Sequence, residues 1–191
     1  MSENIPETTL SEEANALHHS ALDHHARGKR RQALKLLEQA LAAHQTQGNV
    51  SAQATVLYDI GQVYKSMRKP QDALEHYEQA LQRYKAQDDQ ENVGKTLNAM
   101  AGAYLEKGEL SEALATYEKV LTVMNATGDQ VGVAKTQNDM ASVHLSQKNW
   151  DLALALLEEA YPTLQTLEDR HWEATALNNF AGAYHGLGDV D

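Results

Sequence analysis

The sequence predicts an all-α chain, a solenoid of antiparallel helix pairs, and three observations carry that prediction. The first is a strict internal repeat. Residues 101–140, AGAYLEKGELSEALATYEKVLTVMNATGDQVGVAKTQNDM, realign without a gap on residues 21–60, 61–100 and 141–180, and AGAYHGLGDVD begins a fifth copy. A repeat of this size marks stacked supersecondary units, none of which buries its apolar face alone. The second is composition: Ala, Leu, Gln and Glu dominate, all good helix formers, and 42% of residues are hydrophobic. The third is punctuation, since Gly28, Gly48, Pro70, Gly108 and Gly128 cut the copies into helix-length halves.

In order along the chain, residues 1–10 are polar, carry Pro6 and lack periodicity, so a flexible arm is expected there. A first helix is expected from Thr9 or Ser11, whose hydroxyls accept from first-turn amides, to about Arg27. Its partner covers Lys29 to Thr46. The second pair covers Ser51 to Arg68 and Pro70 to Ala86, with Pro70 at a helix start where its missing N–H costs nothing. The third covers Gln90 to Lys107 and Ser111 to Thr127, the fourth Gln130 to Gln147 and Trp150 to Leu167. Pro162 is expected to kink or end the last of these near Tyr161. A ninth helix follows from Arg170 to Gly186. Residues 11–191 thus read as one solenoid domain, with repeats near 11–48, 49–88, 89–128 and 129–168 and a half-repeat at 169–188.

Each copy holds two helices, A and B. Small residues recur where backbones must approach: Gly61, Ala101, Ala141 and Ala181 on A, then Ala33, Ala73, Ala113, Ala153 and Ala40, Ala80, Val120, Ala160 on B. Bulky residues fill the space between, such as Ile60, Met100, Met140 and Phe180, and Leu37, Tyr77, Tyr117 and Leu157. Leu97, Met100, Ala101 and Tyr104 form one apolar stripe on a helix, and a stripe of Met and Tyr at this spacing is core.

On these residues the chain resembles a tetratricopeptide repeat (TPR) protein. Leu97, Met100-Ala101, Tyr104, Ala113, Tyr117 and Val120 match the family's pattern, and the other copies match comparably over about residues 11–188. The resemblance implies a right-handed superhelix of nine helices, about 4.5 repeats in all. The period of 40 exceeds the family's usual length and the Pro that closes helix B is missing, as in the long-repeat branch with kinesin light chains, Leu-Gly-Asn signalling modulators and bacterial peptide-sensing regulators. That branch implies binding of extended peptides or partner-protein segments.

A second stripe on the A helices, roughly 130° from the apolar one, marks the expected binding surface. It comprises Lys95, Asn98, Gly102 and Leu105; Lys135, Asn138, Ser142 and Leu145; Thr175, Asn178, Gly182 and His185; and Thr55, Tyr58, Gln62 and Lys65. In TPR proteins this row resembles the lining of the concave groove. Asn98, Asn138 and Asn178 form a ladder, and each carboxamide offers a donor and an acceptor to a peptide main chain. Lys65, Lys95 and Lys135 add a basic strip, while Glu38, Glu78, Glu118 and Glu158 lie on B helices, so an acidic segment or a C-terminal carboxylate is the favoured guest.

Other chemistries find little footing. With no cysteine there is no disulfide, thiol nucleophile or thiolate metal site. His18, His19, His24 and His25 cluster on the first helix but include no i,i+4 pair, so no metal and no cofactor is expected. No nucleophile elbow, phosphate loop or His-Glu metal motif is present, which predicts a non-enzymatic protein. A net charge of −11 argues against nucleic acid, and no apolar run is long enough to insert in a membrane. The start MSENIPETTL lacks a basic leader, which points to the cytoplasm if Met1 is the natural start. Phe180, Tyr184 and Leu187 on the last helix supply a second expectation, a structural or oligomerising scaffold, or a piece of a larger one, that docks a partner or another copy through this end or through the convex face.

Overall fold

The computed structural model describes residues 7–188, with side chains from residue 11. Among the described residues lie nine α-helices and no strand: α1 Glu7–Ala26, α2 Arg30–Thr46, α3 Val50–Ser66, α4 Pro70–Ala86, α5 Gln90–Lys107, α6 Leu110–Thr127, α7 Gln130–Ser146, α8 Trp150–Leu164 and α9 Arg170–Leu187. The odd-numbered helices are the A helices and the even-numbered ones the B helices.

Two expectations about element ends need correction. Of the arm expected at residues 1–10, positions 1–6 lie outside the described residues, while 7–10 already belong to α1. Helix α8 passes Pro162 and ends at Leu164, later than Tyr161 and earlier than Leu167. Proline lacks one N–H, yet the Gln165 amide still donates to the Tyr161 carbonyl at 3.0 Å, which closes the end.

Local chemistry sets the other boundaries. Four A helices begin on an Asx cap: the side chains of Asn49, Asp89, Asp129 and Asp169 accept from the amides of Ala52, Asn92, Gly132 and His171. The A-to-B turns pass through a left-handed residue at Gly28, Arg68, Gly108 and Lys148, and the B-to-A turns do so at Gly48, Asp88 and Gly128. The repeat therefore reaches down to single backbone dihedrals.

The chain divides into two compact units, residues 1–109 and 110–191. In the first, α1 packs on α2, α2 on α3, α3 on α4 and α4 on α5. Ala21, Ala33, Leu37, Ala40, Val56, Ile60 and Val63 form a buried cluster there. Helix α3 can approach α4 closely because Gly61 has no side chain: a Cβ at this position would lie 2.5 Å from Cε1 of Tyr77, which is fully buried. In the second unit α6 packs on α7, α7 on α8 and α8 on α9, and α7 also meets α9. Its core joins Ala134, Ala141, Ala153, Leu157, Ala160, Leu164 and Ala176. Ala141 and Leu157 occupy the positions of Gly61 and Tyr77, a larger residue on one helix matched by a smaller one on the other.

One member of the small-residue series departs from expectation. Ala101 and Ala141 are buried, but Ala181 is exposed. Among the described residues no B helix follows α9, so its outer face keeps Leu177, Tyr184 and Leu187 at 49%, 41% and 43% exposure.

Candidate functional site

In the first unit the second stripe of the A helices stays at the surface, flanked by core. On α3, Tyr58, Gln62 and Lys65 are half-buried and Thr55 is exposed, while Val56, Leu57, Ile60 and Val63 beside them are buried. Gln62 Nε2 donates to the Tyr58 hydroxyl at 2.5 Å, and the Tyr58 ring lies against Tyr77 with centroids 5.6 Å apart. Burial pushes the Tyr58 pKa up, so the phenol remains neutral at physiological pH. On α5, Lys95 and Asn98 are exposed and Gly102 and Leu105 half-buried, between the buried Leu97 and Ala101. Gly102 has a specific use: Lys65 Nζ lies 2.8 Å from where its Cβ would be. The Lys65 side chain thus crosses the neighbouring helix at a point without a side chain of its own.

The basic strip is weaker than its lysine count suggests. Lys95 Nζ donates to Glu91 Oε1 at 2.5 Å, an i,i+4 pair whose hydrogen bond raises the lysine pKa. Lys135, in the second unit, sits over the Trp172 ring at 5.1 Å. Lys65 has neither kind of partner among the described contacts and carries the free positive charge of this surface.

The second unit corrects the asparagine ladder. Asn178 is exposed, as Asn98 is in the first unit, but Asn138 is fully buried. Its Oδ1 accepts from Asn179 Nδ2 at 3.1 Å. Helix α9 packs against α7 at this point, so Asn138 serves the packing between two A helices and offers nothing to a guest. The remaining predicted residues divide as follows. Ser142 and His185 are exposed, Leu145 packs on the core of its unit, and Thr175 turns its hydroxyl back to the His171 carbonyl at 2.8 Å. Leu145 Cδ1 lies 3.6 Å from a notional Cβ on Gly182, so a side-chain contact crosses from α7 to α9 there as Lys65 crosses to Gly102.

The Asn138–Asn179 contact has a counterpart in the first unit. His18 Nε2 and Asp59 Oδ2 are 2.6 Å apart, again 41 residues apart along the chain and again joining successive A helices. Asp59 and Asn179 do not belong to the predicted stripe. The signal that finds them is the offset of 41 between polar residues, one more than the repeat, which places a residue beside the successor of its own equivalent.

His44 is fully buried, and among the described residues neither ring nitrogen has a hydrogen-bond partner. Burial lowers its pKa, the Gln47 side chain opposes the shift, and His18 adds to it. Tyr77 and Tyr117 have pKa values raised by burial, so their phenols stay neutral. Among the described residues no group of three or more His, Asp or Glu is placed to hold a metal ion, and no helix is long and apolar enough to cross a membrane.

Comparison with known proteins adds the following. A family model described as Tetratricopeptide repeat matches residues 12–86, 53–126, 92–166 and 132–191. The kinesin light chain nearly identical TPR-like repeats from Podosopora anserina superpose with a TM-score of 0.74 at 20% identity, covering 95% of this chain and 89% of that one. BtubC (BKLC) from P. vanneervenii superposes at 0.80 and 19% identity, over 96% and 82% of the two chains. The apo quorum sensor NprR from B. thuringiensis gives 0.76 at 18%, over 92% of this chain and 49% of NprR. NprR with its cognate peptide NprX gives 0.68 at 18%, over 98% and 54%. At these identities the likeness concerns the fold. No curated protein sequence matches the chain.

Proposed function

Because the chain belongs to the tetratricopeptide repeat family, we propose that it is a non-enzymatic interaction module which binds an extended peptide segment of a partner protein along the exposed stripe of its A helices. One observation carries the reading: on α3 and α5, Gln62, Lys65 and Asn98 stay accessible between neighbours that are buried. Two carboxamides there offer donors and acceptors to a peptide main chain, and Lys65 offers an unpaired charge to a carboxylate. An acidic segment or a free C-terminus is the guest this favours, in a cytoplasmic setting. The NprR–NprX complex supports the reading by analogy, since a chain of similar fold holds a peptide.

The test is selection of peptides from a displayed random library on the intact chain, followed by affinity measurement with variants. Gln62→Ala/Asn98→Ala and Lys65→Ala should each weaken the selected peptide about tenfold or more, with helicity and melting unchanged. Undiminished capture by both variants contradicts the proposal.

A second reading, a scaffold that docks or self-associates through α9, draws on the exposure of Leu177, Tyr184 and Leu187. Tyr184 stacks on Phe180 at 6.2 Å, so the patch is continuous along the helix. Sedimentation should then reveal a dimer that Tyr184→Asp dissolves. A monomer at high concentration removes this reading.

A further inference from the structure

Two helix-hairpin tips of the first unit enclose an open cleft of about 610 Å³ lined by residues 28–32 and 66–68. Lys29, Arg30, Arg31 and Arg68 are among its lining residues, and no acid is. The sequence prepares this locally: four of the chain's 16 lysines and arginines fall in the five residues RGKRR at 27–31. Arg27 lies outside the lining and pairs with Asp23 at 4.0 Å, whereas among the described residues no carboxylate stands within 4.0 Å of the charged nitrogens of Lys29, Arg30, Arg31 and Arg68. Arg30 Nε donates to Ser66 Oγ at 3.0 Å, which ties the two turns together and leaves the terminal guanidinium nitrogens without a protein acceptor.

Two unfavourable features coincide at this cleft. Like charges are gathered with nothing to neutralise them, although the whole chain carries −11 and has acids to spare. Arg68 also adopts φ +58, the left-handed conformation that Gly28 and Gly108 take at the matching positions. A residue with a Cβ costs about 1–2 kcal/mol there. The fold would be served as well by glycine and by an acid nearby, so the cationic lining is what calls for a reason.

We propose that this cleft docks an acidic segment of a partner polypeptide, on a surface separate from the A-helix stripe and independent of what that stripe binds. Arginine forks accept carboxylates in bidentate geometry, and charges spread over two turns suit a run of separate carboxylates better than one compact anion. A long polyanion such as duplex DNA is disfavoured because the chain as a whole carries −11.

The probe is a fluorescein-labelled (Glu-Gly)4 peptide, with (Gln-Gly)4 as the neutral control, titrated with the intact chain by fluorescence anisotropy. The acidic peptide should bind, the neutral one should not, and added salt should weaken the complex. Arg30→Gln/Arg31→Gln should weaken it about tenfold or more. Arg68→Gly should weaken it while leaving the melting temperature equal or higher, since glycine suits that backbone. Lys148→Gly, the same left-handed substitution in the second unit, should leave binding unchanged. Equal binding of the neutral peptide, unchanged affinity in both arginine variants, or stronger binding of duplex DNA or phosphatidylserine vesicles would each overturn the proposal.

Discussion

The two units are written in one repeat and spend it differently. Residues 1–109 hold twelve of the 16 lysines and arginines against fifteen acids, while residues 110–191 hold four against twelve. In the first unit a glycine faces a tyrosine across α3 and α4; in the second an alanine faces a leucine across α7 and α8. Successive A helices are joined by His18 and Asp59 in one unit and by Asn138 and Asn179 in the other. Backbone register is thus common to both, whereas volume, charge and polar pairing are settled unit by unit. A shared position in the repeat does not assign a shared role.

The largest effect should come from exchanging the volumes. Gly61→Ala places a methyl against the buried Tyr77 ring and should cost about 1–3 kcal/mol in denaturant unfolding. Tyr77→Leu, which reproduces the pairing of the second unit, should recover much of that loss in the double variant. Absence of rescue would mean that the two units do not solve the same packing problem. A smaller effect separates two asparagines at one repeat position. Asn138→Ala removes the shorter of the two bonds made by the buried Asn179 amide, leaving only the one at 3.5 Å to the Asn138 backbone carbonyl, and should cost about 1–2 kcal/mol. Asn98→Ala, on an exposed site, should stay within about 0.5 kcal/mol.

The smallest effect is a pH dependence. Burial lowers the pKa of His44 and of His144 below the ordinary histidine value of 6.5, so the unfolded chain takes up protons first as the pH falls through that value. Their contribution is present above it and is lost on acidification towards the lowered folded values. Melting temperature should therefore fall on going from neutral to mildly acidic pH. His44→Leu should flatten that fall more than His144→Leu, because His44 is fully buried and His144 only half so. Leucine is a fair substitute, since Leu164 fills the matching position of the second unit.

Much of this fold is legible in the sequence because its signals are local. Pro70, Gly108 and Gly128 delimit helices that the structure reproduces, with α4 and α5 agreeing at both ends. Pro162 misleads because a proline in a last turn removes a hydrogen bond that the helix end barely needs. The candidate surface is less legible. Asn98 and Asn138 look alike in the repeat, and the burial of Asn138 follows from its contact with Asn179 on α9, which the repeat position does not reveal. The pairing of Lys95 with Glu91 was readable from i,i+4 spacing, whereas the cationic cleft needs residues 28–32 and 66–68 brought together by packing.

The central claim is that a guest peptide lies on the exposed A-helix stripe of the first unit. The most direct measurement is amide chemical-shift mapping of the intact chain as a library-selected peptide is titrated in. The account predicts perturbations concentrated at residues 55–65 of α3 and 95–105 of α5, removed by Gln62→Ala/Asn98→Ala. Perturbations confined to the B helices or to residues 177–187 of α9 would contradict it.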